Sequence, residues 1–399
     1  MPNKSETNEL RLVGVSGTNK VMAGELSRLA LRASLTGKLP EPRKDGLGSL
    51  VYPFEPAIAL LAARYHRTST RVLWDVYRSA AVRLEPLYAD LVEQVGQDNR
   101  GWMHHRMSIS VDARRMEDFA AGERQIVGTV KNAVIDGAAR QGMTLIVDAK
   151  QPDALLDVRL REGVLTVSID LGGRPMHQRG YRRDGGVAPL KENLGAAMVM
   201  LGRHQARTEP LVDPMAGSGT IAIEAAAMGC GSPVWIHPKS AKCESLAPFK
   251  TFSKSSAEPL FGDTRPLVFA NELARDSAAA CRDHVRRAGV EQFVRCSQGD
   301  FRNLDPQALI RECELRGMGS GGLILANPPY GERMGYSLSS AELLTLYRDF
   351  GDWCRRFRGW RAGILAGNPD FEGSFGGKPR IRKPLSNSPI RSMFLLYDL

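Results

Sequence analysis

The 399-residue sequence lacks the features that would assign it to several large classes of protein. It has no run of about 18 consecutive apolar residues, the length that a helix needs to cross a bilayer. Its six cysteines are scattered, with no Cys-x-x-Cys pair and no nearby histidine cluster, which argues against a zinc site and a disulfide framework. The first eleven residues lack the apolar core of a signal peptide. We therefore expect a cytoplasmic protein that holds no metal and does not enter a membrane.

Positive charge is in excess along the chain. The sequence has 54 Lys and Arg residues against 44 Asp and Glu residues, which gives a formal net charge of +10 at pH 7. A basic protein favours a polyanionic partner, and nucleic acid more than a membrane surface. Charge alone fits a basic enzyme without such a partner equally well. The length of the chain predicts two domains rather than one core.

The part of the chain that ends near Gly173 has the pattern of an α+β unit. Residues 1–50 contain one amphipathic stretch and a Pro-, Gly- and Lys-rich piece typical of a linker, and we treat them as an unassigned N-terminal extension. The patterns that follow are mainly helical over 52–83, strand-like over 107–113, helical over 127–141, and strand-like over 155–160 and 164–171. We therefore predict an α+β domain over 51–173.

Beyond residue 189 strands and helices alternate. Strand-like runs are at 210–213, 267–270, 293–297, 322–326, 361–365 and 393–397, and helical runs are at 220–228, 273–288 and 341–357. Repeated strand–helix units imply a doubly wound, mostly parallel sheet with helices on both faces. We therefore predict a Rossmann-like α/β domain over 174–399.

The most informative stretch is Leu-Val-Asp-Pro-Met-Ala-Gly-Ser-Gly-Thr, residues 211–220. An apolar strand runs into Asp213 and is followed by a glycine-rich turn and a helix. Ligands of open α/β sheets bind at the carboxyl ends of strands, and glycines let the backbone approach them closely. A phosphate-binding loop would need Gly-Lys-Ser/Thr here, and a dinucleotide fold would need three spaced glycines. The turn therefore predicts a ligand of another kind.

Two carboxylates follow the next two predicted strands. Glu272 can accept both hydroxyls of a ribose, which is the role of acids at this position in nucleotide-binding sheets. It lies much further from Asp213 than the usual ~20 residues, so a segment of roughly residues 231–266 must loop out of the sheet. Asp300 could accept from an adenine amine, although Gly-Asp is also ordinary turn chemistry.

The fourth strand of this region ends in Asn327-Pro-Pro-Tyr330. Two prolines fix the backbone and leave the carbonyl of Pro328 without competing local donors, Asn327 offers an amide oxygen, and Tyr330 offers a ring face. Two acceptors can hold a planar amine and direct its lone pair towards an electrophilic methyl group, while a ring stacks on its base. A target base must leave its stack to reach such a pocket.

Together, the glycine-rich turn and Asn-Pro-Pro-Tyr-Gly-Glu-Arg-Met, residues 327–334, resemble the amino-methylating class I S-adenosylmethionine-dependent methyltransferases. His-Gln-Arg-Gly-Tyr-Arg, residues 177–182, and Ala-Pro-Leu-Lys-Glu, residues 188–192, resemble the join between the THUMP domain and the catalytic domain of guanine-N2 RNA methyltransferases. Bacterial enzymes acting on large-subunit ribosomal RNA are the most similar members. The resemblance covers roughly residues 52–399, and residues 52–173 resemble the later part of a THUMP domain.

This resemblance implies roles for the residues already singled out. The residues that it assigns to S-adenosylmethionine are Asp213, Pro214, Gly217, Ser218, Gly219, Glu272 and Asp300. The residues that it assigns to the target base are Asn327, Pro328, Pro329 and Tyr330. The join is rich in basic residues, and we predict that Arg179, Tyr181, Arg182 and Lys191 contact RNA, the cations through phosphate and the tyrosine by stacking. A solvated basic linker is the alternative.

The predicted function is methyl transfer to N2 of a guanine in structured RNA, ribosomal RNA more than transfer RNA. Asn-Pro-Pro-Tyr also suits adenine-N6 DNA methyltransferases and protein glutamine methyltransferases. The alternative from another class is a non-catalytic RNA-binding or ribosome-assembly protein with the same fold. The basic join and the THUMP-like region favour RNA, and the intact glycine-rich turn and Asn-Pro-Pro-Tyr favour catalysis.

Overall fold

Two separate sheets organise the chain. The computed structural model describes residues 7–114, 119, 121–182, 190–236, 240–252, 258–331, 339–387 and 390–399. The first unit contains β1 (Glu9–Gly14), α1 (Asn19–Arg32), β2 (Arg43–Lys44), β3 (Ser49–Pro53), α2 (Pro56–Tyr65), β4 (Ser69–Ser79), α3 (Leu84–Gly96), β5 (Ser108–Arg114), α4 (Glu123–Arg140), β6 (Ile146–Val147), β7 (Ala154–Arg161) and β8 (Val164–Asp170).

The first sheet has the strand order β2-β3-β1-β4-β8-β7-β5-β6. Its two faces differ in character. Side chains such as Leu10, Leu12 and Trp74 enter the core beneath the four helices. On the other face Arg11 forms an ion pair with Asp75, at 2.7 Å between Nη2 and Oδ2. Successive strand residues point to opposite faces, so this alternation assigns apolar residues to the helical side and paired charges to the other.

Two predictions for the first unit are wrong in part. One is the boundary at residue 50 between an N-terminal extension and the α+β domain, and the other is the helical pattern over residues 52–83. Strand β1 pairs with both β3 and β4, so residues 9–14 lie inside the sheet and not in an extension. Strand β4 occupies 11 residues that were expected to be helical. It is buried on both faces, with Arg71 and Asp75 in ion pairs on one of them, and this hides the alternation by which a half-buried strand is recognised.

The second unit alternates strands and helices as predicted. It contains α5 (Glu192–Leu201), β9 (Leu211–Asp213), α6 (Thr220–Cys230), α7 (Ala247–Lys250), β10 (Val268–Glu272), α8 (Arg275–Arg287), β11 (Val294–Gln298), α9 (Pro306–Leu315), β12 (Leu323–Ala326), α10 (Ser340–Arg355), β13 (Arg361–Ala366), α11 (Phe371–Phe375), β14 (Ile381–Asn387) and β15 (Ile390–Asp398).

The second sheet has the order β11-β10-β9-β12-β13-β15-β14. The first five strands are parallel, and the last two run antiparallel to their neighbours. One face packs on α5, α6 and α8, and the other packs on α9, α10 and α11. The predicted doubly wound, Rossmann-like architecture is therefore confirmed. The chain order reverses between β9 and β12, the place where such sheets bind ligands.

The segment between α6 and β10 leaves the second sheet, as expected, and packs on the first unit. The indole N–H of Trp235 donates to the carbonyl of Ala63 at 2.8 Å. The ring of Phe249 meets that of Trp74 edge-on, with 6.1 Å between the ring centroids. These contacts join the two units through a shared apolar core. In the described part of the chain, no helix has both the length and the apolar character needed to cross a membrane.

Candidate active site

The glycine-rich turn lies at the carboxyl end of β9, in the parallel part of the second sheet. The strand ends at Asp213 and α6 begins at Thr220. Between them φ is 54° at Gly217 and 89° at Gly219, a region that favours glycine. A Cβ at Gly219 would lie 2.7 Å from Sγ of Cys281, whereas a Cβ at Gly217 would meet no described atom within 4 Å. The turn is therefore packed against α8 on one side and open on the other.

Asp213 is a buried carboxylate with one oxygen unused. Its Oδ1 accepts from the backbone N–H of Met215 at 3.3 Å. Its Oδ2 is buried and has no hydrogen-bond partner among the described residues. Burial raises the pKa of Asp213 well above its ordinary value, and the charge of Glu272 also raises it. A buried acceptor without a partner is costly, so this oxygen is suited to a ligand that brings a donor or a positive charge.

Glu272, at the end of β10, ties the neighbouring strand to the glycine-rich turn. Its carboxylate accepts from the backbone N–H of Gly217 at 2.8 Å and from that of Ala274 at 2.9 Å. Strands β9 and β10 are parallel neighbours, so their ends meet at one edge of the sheet. The predicted ribose-binding carboxylate therefore lies next to the predicted turn, and its role towards a ribose stays a prediction.

Two side chains that the sequence analysis did not single out hold the backbone of the turn. The amide of Asn271 donates to the carbonyls of Pro214, at 3.2 Å, and Gly299, at 2.8 Å. Nδ1 of His284 donates to the carbonyl of Ser218 at 3.1 Å. Asn271 precedes Glu272 at a strand end, which is the signal that could have identified it. His284 gave no local signal because its partner is 66 residues away.

Asp300 follows β11 at the same edge of the sheet. Its carboxylate accepts from Arg302, at 2.6 Å from Nη2, and Arg302 also reaches Asp349 at 3.0 Å. The hydrogen bond from Arg302 lowers the pKa of Asp300. Asp300 is thus held ionised at the predicted position, and its predicted contact with an adenine amine stays a prediction.

Asn327 and Tyr330 lie at the end of β12, the strand beside β9. The hydroxyl of Tyr330 donates to Oδ1 of Asn327. The Tyr330 ring lies against Gly367, where a Cβ would come within 2.7 Å of a ring carbon. Tyr347 donates its hydroxyl to the carbonyl of Pro329 at 2.6 Å, which fixes the double proline on α10. The amide oxygen that was predicted to hold a base therefore accepts from the Tyr330 hydroxyl, and the ring that was predicted to stack on the base packs on Gly367.

The four residues of this motif share one strand end. Pro328 is buried, while Asn327, Pro329 and Tyr330 are half-buried. Burial raises the pKa of Tyr330, so its hydroxyl is a neutral donor at physiological pH. Residues 332–334 of the longer motif and residues 188–189 of the join lie outside the described part of the chain.

The structure corrects the prediction that Arg179 contacts RNA. Its side chain is 0% exposed and its guanidinium lies 3.1 Å from the carboxylate of Glu224, which is also buried. Arg67 approaches the same carboxylate from the first unit, at 3.0 Å. A buried carboxylate needs charged partners, and two arginines supply them here at the junction of the two units. Arg179 is therefore a structural residue of that junction.

Tyr181 and Arg182 are also engaged by the protein. Tyr181 is 1% exposed, so its ring cannot stack on an RNA base, and that prediction is wrong. Arg182 donates to the carbonyl of Leu190 at 2.8 Å and forms an ion pair with Glu192 at 3.3 Å. Lys191 is exposed at the start of α5 and is the one predicted RNA contact that stays on the surface.

Within the described residues, no three His, Cys, Asp or Glu side chains converge in a way that could hold a metal ion. The site thus consists of carboxylates on the ends of β9, β10 and β11, and of an amide, two prolines and a tyrosine on the end of β12.

Comparison with solved structures supports the fold. The structure of SMU.472 complexed with SAH superposes with a TM-score of 0.79 at 21% identity, covering 99% of this chain and 98% of that chain. TrmN from Thermus thermophilus gives a TM-score of 0.67 at 20% identity, covering 98% of this chain and 100% of that chain. At these identities the likeness concerns the fold alone, and it includes both units.

Comparison with curated proteins gives the relatives. Ribosomal RNA large subunit methyltransferase K/L of Syntrophotalea carbinolica is 30% identical over 352 residues, covering 84% of this chain and 47% of that protein. The protein with the same name from Chromohalobacter salexigens is 29% identical over 359 residues, covering 86% of this chain and 47% of that protein. The chain spans about half the length of these relatives.

The family follows from the second unit. Residues 179–392 match the family UPF0020, described as an RMKL-like methyltransferase domain. The match covers more than half of the chain and includes the glycine-rich turn and Asn327-Pro-Pro-Tyr330. The predicted membership of a methyltransferase family is confirmed: this chain belongs to the RMKL-like methyltransferase domain family.

Proposed function

We propose that this chain transfers a methyl group from S-adenosylmethionine to an exocyclic base amine in large-subunit ribosomal RNA, N2 of a guanine. One observation carries the proposal. On the adjacent strand ends of β9 and β12, a buried carboxylate with an unpartnered oxygen lies beside an open turn, and an amide and a tyrosine stand on either side of a double proline. The names of the curated relatives support ribosomal RNA as the substrate.

The residues at the ends of β9, β10 and β11 fit the cofactor. S-adenosylmethionine carries a sulfonium and an ammonium group, and when bound it supplies an electrophilic methyl group. The carboxyl groups of Asp213 and Glu272, which form no ion pair among the described residues, suit a ligand with positive charge. Asp300 is paired with Arg302 and would serve as a hydrogen-bond acceptor. The unpartnered Oδ2 of Asp213 can accept from a cationic donor, and the open side of Gly217 leaves room for a ligand against the backbone. Glu272 retains acceptor capacity for ribose hydroxyls, because each carboxylate oxygen has two lone pairs.

The end of β12 would hold the amine. An amine hydrogen can replace the Tyr330 hydroxyl as the donor to Oδ1 of Asn327. One hydrogen bond is exchanged for another, so the net cost is small. The Tyr330 ring is then free to leave Gly367 and to stack on the base. The amide oxygen of Asn327 would direct the amine lone pair towards the methyl group and would stabilise the positive charge that develops on the amine. Alignment and a preorganised acceptor both lower the barrier to methyl transfer.

RNA as the substrate is supported by charge and by the first unit. The chain has a net charge of +10, and Lys191 is exposed beside the second sheet. The α+β unit that precedes the catalytic domain resembles a THUMP domain, and we assign RNA binding to it. Because β1 belongs to its sheet, this proposed domain begins before residue 51 and reaches about residue 173.

The choice of substrate can be tested by competition. Purified protein is given S-adenosylmethionine labelled in the methyl group together with equal masses of protein-free large-subunit ribosomal RNA, transfer RNA, duplex DNA and total protein. We expect label in the large ribosomal RNA. Label in transfer RNA, DNA or protein instead would replace the proposed substrate by that class. Absence of label everywhere, although the cofactor binds, would favour the non-catalytic alternative.

A further inference from the structure

Beyond Asn327, on the side away from the glycine-rich turn, the second sheet carries a cavity. In the second sheet, β9, β10 and β11 lie on one side of β12. Strands β13, β15 and β14 lie on its other side. At the ends of these last strands is a cavity of about 500 Å³, lined by residues that include Gly367, Pro384 and Ser392. The ring of Tyr330 packs on Gly367, so this cavity adjoins the proposed place of the target base. Its volume falls in the range of small-molecule sites, about 300–1,000 Å³.

The first unit contributes to the same cavity. Ser16, in the turn between β1 and α1, is exposed and lies in its lining. The next residue, Gly17, lies so close to β14 that a Cβ on it would be 3.2 Å from the carbonyl oxygen of Pro384. The cavity is therefore built at the contact between the two units, and its wall depends on how they are joined.

One cation lines this cavity, and two more are close in sequence to residues that line it. Arg391 lines it, Lys20 is on α1, and Lys383 is on β14 beside Pro384. Gly17 and Pro384 meet at the contact between the units, which brings Lys20 and Lys383 to the same place. In keeping with this, partial burial lowers the pKa of Lys383 and the charge of Lys20 lowers it as well. Like charges held together are stabilised by an anion that binds between them.

No described carboxylate neutralises these three cations. Glu372 lines the cavity, but its carboxylate is paired with Arg382, at 3.0 Å from Nε. The ion pairs formed within the described ranges include none to Lys20, Lys383 or Arg391. The cavity thus combines apolar walls with an excess of positive charge, which suits a base or ribose together with its phosphate.

We propose that this cavity holds the nucleotide next to the target base, as part of an unpaired RNA strand. Lys20, Lys383 and Arg391 bind its phosphates, and its base or sugar lies between Ser16 and Gly367. The proposal rests on the proposed function, because it takes Asn327 as the position of the target amine. It gives the first unit a direct part in positioning the substrate, through Ser16 and Lys20.

The test removes two of the charges and compares two pairs of lysines. K20Q/K383Q is compared with K150Q/K250Q, which removes the same charge from two exposed lysines elsewhere in the chain, one after β6 and one on α7. Affinity for a short fluorescein-labelled single-stranded RNA is measured at several salt concentrations. For K20Q/K383Q we expect the slope of log affinity against log salt to fall by about 0.7 for each phosphate that is no longer bound. We also expect kcat/KM for large-subunit ribosomal RNA to fall about 10-fold, with cofactor affinity unchanged.

A second variant tests the cavity itself. S16W adds a large side chain at an exposed position of the rim, so folding should not suffer. We expect a similar loss in kcat/KM with an unchanged salt slope, because no charge is removed.

The cavity proposal would be overturned if K20Q/K383Q and K150Q/K250Q had the same salt slope and the same kcat/KM, or if S16W had the kcat/KM of the wild type. The proposed function would still hold in either case, provided that the wild type methylates large-subunit ribosomal RNA. If the wild type methylates no RNA, the proposed function fails. The salt slopes of the two lysine pairs then still decide whether the cavity binds RNA.

Discussion

The two sides of the candidate active site differ in how their polar groups are satisfied before anything binds. Around the glycine-rich turn, Asn271 and Glu272 hold the backbone, while Oδ2 of Asp213 is buried without a described partner. At the end of β12, Asn327 and Tyr330 satisfy each other. On the proposed assignment, the cofactor side is preorganised around an acceptor without a partner, whereas the substrate side would exchange one hydrogen bond for another to accept an amine. We expect this difference to let a base that has left its stack enter at the end of β12 while the glycine-rich turn stays fixed.

The largest expected effect is on the substrate side. Asn327→Ala should lower the rate of methyl transfer about 10²–10³-fold, because it removes the acceptor that aligns the amine. RNA and cofactor affinities should stay near those of the wild type. The measurement is single-turnover transfer from labelled cofactor to large-subunit ribosomal RNA. A near-wild-type rate would remove the end of β12 from the chemistry.

On the cofactor side the expected effect is on affinity and stability together. Asp213→Asn keeps the shape but removes the charge, so cofactor affinity should fall by about 10-fold or more, one charge-assisted hydrogen bond being worth roughly 1.5–3 kcal/mol. At a pH above the folded-state pKa of Asp213, the unfolding free energy of the ligand-free variant should exceed that of the wild type by about 1 kcal/mol, because a buried unpartnered charge is removed. Calorimetry and thermal unfolding measure the two quantities. A variant that is both weaker in binding and less stable would contradict the role of the unpartnered oxygen.

The raised pKa of Asp213 also predicts a dependence on pH. In the ligand-free protein the carboxyl binds a proton more readily than an ordinary aspartate, so its contribution to stability is present at low pH and is lost as pH rises through the folded-state pKa. A cationic ligand needs the ionised form, so cofactor affinity should rise with pH over the same range. Asp213→Asn should flatten this profile. An identical pH profile in both proteins would assign the titration to another group.

The smallest expected effect separates the Tyr330 ring from its hydroxyl. Tyr330→Phe removes the donor to Asn327 and keeps a ring to stack, so we expect kcat/KM for RNA to change by no more than about 3-fold. Tyr330→Ala should weaken RNA binding by about 1–3 kcal/mol, the value of one stacked base. Equal losses in the two variants would mean that the hydroxyl, and not the ring, is used.

The residues at the strand ends were predictable because their signals are local. Asp213 and the two glycines of the turn lie within seven positions, and Asn327 is followed directly by the two prolines, so each signal falls in one short stretch of sequence. Repeated strand–helix units also predict a doubly wound, mostly parallel sheet, although the position of β12 beside β9 is known only from the structure. The doubly wound domain could therefore be predicted from the sequence alone.

The junction of the two units could not be predicted. Arg179 belongs to a basic run, and its burial depends on Glu224, 45 residues later, and on Arg67, in the other unit. Strand β1 was missed for a similar reason: it is short, and its partners β3 and β4 lie far along the chain. A run of charged residues indicates solvent exposure only when no residue of opposite charge, distant in sequence, pairs with it in the interior.

The most direct test of the account asks which nucleoside is made and whether the end of β12 makes it. Large-subunit ribosomal RNA from cells that lack this protein is incubated with labelled S-adenosylmethionine and either the wild type or Asn327→Ala, then digested and analysed by mass spectrometry. We expect N2-methylguanosine with the wild type and little or none with the variant. Label in another nucleoside, or equal N2-methylguanosine from both proteins, would contradict it.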